Sequence, residues 1–572
     1  MSNVHAIIIG TLRMSKYRLA GPAPKRLHEN ELLSQLLYNR GLTDETDIQS
    51  FLFPDYDTHR HDPFLLNDMD KAVQRVLLAI RQDERIAIYS DYDCDGIPGA
   101  VVLHDFFKAV GFTNFQNYIP HRHHEGFGLN VAAIKKLAKD GVKLIITIDC
   151  GTANVEAIKE ASGLGVDVIV TDHHEPSGLL PEALAIVNPK LGRYPFKELC
   201  GAGVVFKLVE ALIAKGEFGL TPGKEKWWLD MVGLATISDM VPLLGENRVL
   251  ARYGLEVLRK SRRPGLHHLL RKARTSLRHL TEDDIGFTIA PRINAASRMD
   301  TPEDAFFMLS STDEGEAGAR VEHLEKLNNE RKGTVAAMVK ELKHRLSEML
   351  ELPNVLVLGN PLWRPALVGL AANSLSEEYN RPVFLWGRDG NGVIKGSCRS
   401  EGTTSVVRLM EAARDSFLEH GGHHFSGGFT VKEEAIFTLP QSIYDAYASL
   451  GEKVIADETA LIDAELKLED VNQNLVRTLH SLAPFGVGNP KPLFSFRGVS
   501  PSKVESFGKN KEHLKLVFEV PQGRLEAIAF FTSPEQFKKE PEIGKSLDLL
   551  AHVEESFFMN RLQTRLRVVD VI

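Results

Sequence analysis

Apolar positions along the chain follow two rhythms. "RIAIYS" (Arg85 to Ser90), "KLIITIDCG" (Lys143 to Gly151) and "VDVIVTDHHE" (Val166 to Glu175) are short β-branched runs that end on polar residues. Such runs suit strands buried on both faces. Between them, "IPGAVVLHDFFKAVGF" repeats its apolar residues at helical spacing. The alternation predicts βαβ units and a parallel sheet, an α/β fold. Upstream, "ENELLSQLLYNRGL" and "MDKAVQRVLLAIRQ" predict a helical region up to about residue 80. Downstream, "WWLDMVGLATISDMVPL" delivers Asp239 at the end of an apolar segment, which reads as one more strand end.

From Glu314 to Leu352 the pattern is long, polar and helical, as expected of a connecting helix. A second α/β unit begins at "NVLVLG" (Asn354 to Gly359) and runs to about residue 450. The last hundred-odd residues hold short strands ("HLKLVFEV", "LEAIAFF", "SLDLLAHVE", "RLRVVDVI") and predict a small β-barrel or sandwich. No internal repeat or low-complexity tract interrupts the 572 residues, which suffice for roughly three to five domains.

Composition narrows the setting. Four cysteines (Cys94, Cys150, Cys200, Cys398) are scattered without a CxxC pair. That argues against a zinc ribbon or disulfide framework and fits a reducing cytoplasm. The opening "MSNVHAIIIGTLRMSK" has too short an apolar run for a signal peptide, and no apolar stretch is long enough to span a membrane. The net charge of −8 does not suggest a nucleic-acid coat protein. One segment opposes that average. Arg259 to His279 carries Arg259, Lys260, Arg262, Arg263, Arg271, Lys272, Arg274 and Arg278 with no acidic residue. It reads equally as a solvated helical face or as a track for phosphates.

The chemistry gathers at the strand ends. "DYDCDG" (Asp91 to Gly96) resembles the start of an EF-hand loop, but position twelve is Val102, not glutamate, and a strand precedes it. In a parallel sheet the strand ends share one edge. Asp91, Asp93, Asp95, Asp149, Asp172, His173, His174 and Asp239 are therefore expected in one crevice, against the alternative of separate solvated turns. Carboxylate and imidazole without thiolate suit manganese, or magnesium with water-completed shells. Two cations about 3.5–4 Å apart can activate a water and clamp a phosphoryl group, and Asp149 and Asp239 are the candidate bridges. Phosphate-ester hydrolysis is the natural reaction class.

"DYDCDG", "TIDCG", "TDHHE" and "ISDMVPL", in this order, resemble the DHH phosphoesterase superfamily, and within it the single-strand-specific 5′-to-3′ DNA exonucleases. "IPHRHHEGFGLN", "NPK", "LCGAGVVFKL" and "APRINAASRM" resemble further catalytic-domain motifs. "GSCRS" and "GGHHFSGGF" resemble the DHH-associated domain, and "LAPFGVGNPKPLF" the lead-in to an OB fold. The N-terminal "LLYNRGLTDETDIQSFLFP" fits as well, so the resemblance covers nearly the whole chain. It implies an N-terminal helical region (1–80), a DHH catalytic domain (81–305), a connecting helical segment (306–352), a DHH-associated domain (353–455) and an OB-fold β-barrel (456–572).

It also implies roles. Asp93, Asp95, Asp149, His173 and Asp239 would ligate two divalent cations, Mn2+ or Mg2+, and His174 would face the scissile phosphate. Asp172 would orient a histidine by hydrogen bonding or serve as a further ligand, and Asp91 would likewise do either. Arg122, Asn294, Arg298, Ser397, Arg399 and His423 would contact the substrate. Guanidinium forks suit phosphate oxygens, and the glycines around Ser397 would let backbone N–H groups approach a terminal 5′-phosphate. The chain departs from the pattern at Pro98, Ser297, Arg364, Ala366 and Ser426, none of them an implied ligand.

The implied substrate is single-stranded DNA, admitted to a narrow cleft between the α/β units that excludes a duplex. The β-barrel would hold the strand by a basic groove and stacking. The implied partners are single-strand DNA-binding protein and a RecQ-type helicase, and the implied state is a cytoplasmic monomer. Two other readings stand beside this one. A small-substrate DHH phosphoesterase would need only the two central domains. An inactive scaffold that binds single-stranded DNA would have lost ligands, whereas here every ligand position is filled.

Overall fold

Ile86 to Ser90 are all buried, and their side chains alternate between two cores. Ile86 and Ile88 pack with the helices Met69–Arg81, Gly96–Ala109 and Gly201–Lys215. Ala87 and Tyr89 pack with the helices Val131–Lys139 and Val155–Gly163. Burial on both faces is what a continuous apolar strand requires, and it dictates a sheet sandwiched between helices. The structure, a computed structural model, describes residues 17–572 except 177, 402–403, 452–459, 509–510, 538 and 559–560. The N-terminal run weighed above as a signal peptide, and the boundary at 455/456, lie outside the described residues.

Five parallel strands form the first sheet: β1 (Ile86–Ser90), β2 (Phe115–Tyr118), β3 (Leu144–Ile148), β4 (Asp167–Thr171) and β5 (Ala185–Val187). Their order is β2-β1-β3-β4-β5. The order reverses between β1 and β3, and such a switch point opens a crevice at the carboxyl ends of the strands. The register then fixes which residues face it. Ser90 pairs with Ile148, Ile148 with Thr171, and Thr171 with Val187. The next residues along, Asp91, Asp149, Asp172 and Asn188, therefore stand in a row. Asp91 N donates to Ile148 O at 3.0 Å, Asp149 N to Thr171 O at 2.9 Å and Asp172 N to Val187 O at 3.1 Å.

The chain divides into two units, one of residues 40–328 with 478–491, the other of residues 1–39, 329–477 and 492–572. The first holds the parallel sheet. Its C-terminal insert is held by Leu243 N to Val487 O (2.8 Å), Arg248 Nη2 to Ala483 O (3.1 Å) and Arg40 Nε to Asn489 Oδ1 (2.8 Å). Besides a parallel pair of short strands, Tyr17–Leu19 with Ala460–Ile462, the second holds two larger sheets. One is a five-stranded mixed sheet over residues 356–431. The other is a seven-stranded mixed sheet over residues 464–571, which includes the four strands expected there. The connecting helix spans Glu314–Ser347.

Two readings change. "WWLDMVGLATISDMVPL" is not a strand: Leu229–Ser238 is a helix and Asp239 is its C-cap. An apolar run of that length fits either element, and its buried all-round packing chose the helix. The basic run is not a uniform face. Arg263 is half-buried and donates to Asp230 Oδ2 (2.7 Å), Asp105 Oδ2 (2.8 Å) and Leu309 O (3.0 Å), while Arg259 donates to Leu280 O. Arg262, Arg271, Lys272, Arg274 and Arg278 remain exposed.

Candidate metal centre

Three stretches of backbone bring the acidic residues together. After β1, the chain turns so tightly that a Cβ on Gly96 would lie 2.6 Å from Asp91 O, so only glycine fits. Within that turn Asp93 Oδ1 accepts from Asp95 N (2.8 Å) and Gly96 N (3.2 Å). Asp95 reaches the first turn of the helix Gly201–Lys215, where its oxygens accept from Gly201 N (2.6 Å) and Ala202 N (2.8 Å). The positive end of that helix suits a carboxylate. After β3, Asp149 takes a left-handed φ of 61°, a conformation that a non-glycine residue adopts only when its surroundings impose it. Gly201 packs directly on it: a Cβ there would meet Asp149 Cβ at 2.5 Å. Met240, beside Asp239, has a left-handed φ of 61° as well.

Among the described residues the ligand atoms form three overlapping groups, each within 4.8 Å: Asp91, Asp93 and Asp149; Asp95, His173 and Asp239; Asp149, His173 and His174. His173 Nε2 lies 3.1 Å from Asp149 Oδ1, 3.6 Å from Asp95 Oδ2 and 3.7 Å from Asp239 Oδ2. Asp149 and His173 each belong to two groups, Asp239 to one.

The electrostatics are those of a site built for cations. Burial, then the neighbouring carboxylates Asp95, Asp93, Asp91 and Asp239, pushes Asp149 well above the usual carboxylate range. Burial and Asp95 do the same to Asp239, and burial and Asp93 to Asp91. Burial lowers His173, favouring the neutral imidazole that ligates. Asp91 Oδ1 and Asp149 Oδ1 are buried without a hydrogen-bond partner among the described residues. Orphaned buried carboxylate oxygens are costly unless paired or coordinated, and this donor set, all carboxylate and imidazole, fits divalent Mn2+ or Mg2+.

Asp172 behaves differently. Its carboxylate accepts from Thr152 N (2.9 Å), His173 N (2.8 Å), His174 N (3.1 Å) and His174 Nδ1 (2.8 Å). Burial opposes its ionisation, but the bonds from His174 and Thr152 win and hold it well below the usual range. In return Asp172 lifts His174 above its ordinary value against the effect of burial.

The implied substrate residues fall into two sets. Near the turn, the Arg122 guanidinium lies 4.8 Å over the Tyr92 ring, and Arg298 O sits 3.1 Å from His123 Nε2. Asn294 Oδ1 accepts from Cys94 N at 2.9 Å. In the other unit, Arg399 Nη1 donates to Ser397 Oγ (2.9 Å), which donates to Gly427 O (3.1 Å). His423 is exposed in the adjoining turn, with its N–H on Ser426 O at 2.7 Å. Of the departures, Ser297 is buried with Oγ 3.5 Å from Asn294 O, and Arg364 lies 4.0 Å from Glu330.

Sequence reasoning missed three neighbours. Phe127, 52 % exposed, packs edge-on to His174 at 5.4 Å. Lys190, bound to Glu175 at 2.9 Å, counters the rise of Asp239. Ser238 donates to Cys94 O at 2.7 Å. Lys190 had a signal, since "NPK" directly follows β5 at the same sheet edge.

Known proteins share this fold. The DHH family N-terminal domain matches residues 85–236, the DHHA1 domain 352–449 and the RecJ OB domain 462–570. The single-stranded-DNA-specific exonuclease RecJ of Bacillus subtilis (strain 168) is 33% identical over 96% of this chain and 68% of its own. The crystal structure of RecJ in complex with Mn2+ from Thermus thermophilus superposes with a TM-score of 0.80 at 27% identity, over 97% of this chain and 79% of that one. Its complex with Mg2+ gives 0.73 at 26% identity, over 97% and 78%. With three domain matches in order and a relative 33% identical to it over 96% of its length, the chain belongs to the RecJ family of single-stranded-DNA-specific exonucleases.

Proposed function

We propose that this chain degrades single-stranded DNA from its 5′ end, hydrolysing phosphodiester bonds to release 5′-mononucleotides in DNA recombination and repair. The observation that carries the reading is the row of strand-end carboxylates at the sheet's switch point, with buried oxygens on Asp91 and Asp149 that accept no hydrogen bond among the described residues. Asp93, Asp95, Asp149, His173 and Asp239 would hold two divalent cations, Mn2+ or Mg2+. When bound, these supply Lewis acidity and a nucleophilic water at neutral pH.

The protein's own groups do the rest. His174, with Nδ1 held by Asp172, offers its other ring nitrogen to a phosphoryl oxygen, and its raised basicity favours the charged donor. Arg122 and Arg298 engage backbone phosphates near the turn, and Ser397, Arg399 and His423 the 5′-phosphate. Phe127 offers an aromatic surface to a base beside His174.

The domain limits implied by the resemblance, 1–80, 81–305, 306–352, 353–455 and 456–572, belong to this reading, as do single-strand DNA-binding protein and a RecQ-type helicase as partners. So does a monomer in the cytoplasm, a setting that the four buried free cysteines suit.

The test is Mn2+-dependent digestion of a 5′-phosphorylated single strand beside its duplex and a dinucleotide, with wild type and Asp149→Ala in parallel. Degradation of the long single strand alone, from the 5′ end, and loss in Asp149→Ala is the expected result. Cleavage of the dinucleotide alone would favour a small-substrate phosphoesterase. Binding without cleavage by wild type with either metal would favour a scaffold.

A further inference from the structure

The peptide units on either side of Cys94, the residue between Asp93 and Asp95, are held from two helices. Cys94 N donates to Asn294 Oδ1 at 2.9 Å, and Cys94 O accepts from Ser238 Oγ at 2.7 Å. Cys94 is 3 % exposed, so neither backbone group has water as an alternative partner. Ser238 is the last residue of the helix Leu229–Ser238, directly before Asp239. Asn294 lies in the helix Ala290–Met299, one turn before Arg298, after a π-helical stretch over Ile285–Ile289. Rotation of either peptide would carry Asp93 and Asp95 away from Asp239, because both side chains hang from the same three residues.

We propose that Asn294 and Ser238 are positioning residues that set the affinity of the centre for divalent cations by fixing the aspartate turn against Asp239. On this account Asn294 acts on the turn and not on DNA. The inference rests on the reading that Asp93, Asp95 and Asp239 hold metal. It differs from the contact with substrate that the motif "NAASRM" implies, because the side-chain oxygen of Asn294 is directed at the turn's own backbone.

The test uses the full-length protein stripped with EDTA and dialysed. Mn2+ uptake is followed by calorimetry, and binding of a 5′-phosphorylated single strand in EDTA by fluorescence anisotropy. Asn294→Ala and Ser238→Ala should each weaken Mn2+ binding about tenfold, the usual effect of losing a group that orients ligands. DNA affinity in EDTA should stay within about twofold for both, since neither group touches the strand. Ser238→Thr restores a hydroxyl and should recover most of the Mn2+ affinity.

Unchanged Mn2+ isotherms in both variants would overturn the proposal. So would weaker DNA binding in EDTA by Asn294→Ala at wild-type Mn2+ affinity, which marks a substrate contact. If circular dichroism shows Asn294→Ala unfolded, the pair Ser238→Ala and Ser238→Thr decides alone. Wild-type protein that takes up no Mn2+ would strike the metal-centre reading itself, a result distinct from either of these.

Discussion

Asp172→Asn separates orientation from ligation. The carboxylate accepts four bonds, three on Oδ1 and one on Oδ2 from Thr152 N. An amide can keep its oxygen toward His173 and His174, but its NH2 then faces the Thr152 N–H, leaving a buried donor unpaired. That mismatch costs about 1–3 kcal/mol. The surviving bonds also lose the charge that makes them strong, from about 1.5–3 to about 0.5–1.5 kcal/mol each. With roughly 1–2 kcal/mol of this falling on the placement of His174, kcat should drop by about 5–30-fold. A stability loss of roughly 2 kcal/mol should lower the Tm by about 4–8 °C. Single-turnover cleavage of a 5′-phosphorylated oligonucleotide gives the rate, calorimetry the Mn2+ affinity and melting the stability. Mn2+ affinity should stay within about tenfold of wild type. A variant with wild-type kcat would refute the role of Asp172 in orienting His174. Abolished Mn2+ binding would show that Asp172 is itself a ligand.

Relief of the buried carboxylate repulsion should make Mn2+ stabilising. At about 100 times the Kd, each site should add about 2.7 kcal/mol, read as a higher Tm in MnCl2 than in EDTA and absent in Asp149→Ala. Arg263→Met removes the cation that neutralises buried Asp230 and half-buried Asp105 and should cost about 3 kcal/mol in urea unfolding. Burial, then Lys108 and Arg263, pushes His104 down to about 4. The unfolded chain, near 6.5, therefore binds that proton first as the pH falls. The stability that neutral His104 contributes is complete above about pH 6.5 and is lost progressively down to about 4. Allowing for its partial exposure, wild type should lose about 1–2 kcal/mol more than His104→Asn between about pH 7.5 and 4.5.

The parallel sheet and most of the metal cluster were legible in the sequence for one reason. A strand buried on both faces must be apolar throughout, so the first charged residue after it marks the sheet edge, as Asp91, Asp149 and Asp172 do. Asp239 was legible as a site residue but not as a helix cap, because apolar runs packed on all sides look alike in either element. The basic run misleads for a related cause. Charge is visible in a sequence and partners are not, so ion-paired Arg263 and exposed Arg274 read the same. Asn294 and Ser238 act through a backbone N–H and C=O, groups that nearly every residue carries and no pattern marks.

Thr478–Lys491 lies far along the chain, yet it completes the unit that holds the parallel sheet. Synthesis on the ribosome gives this a temporal meaning. At about 5–20 residues per second, the segment follows residue 328 by roughly eight to thirty seconds. Until then Leu243 N and one edge of Arg248 lack the carbonyls of Val487 and Ala483. A nuclease whose final stitch comes so late is held back from finishing while still a nascent chain, and a truncation placed to trim only the C-terminal β-domain would leave the older part of the molecule unfinished.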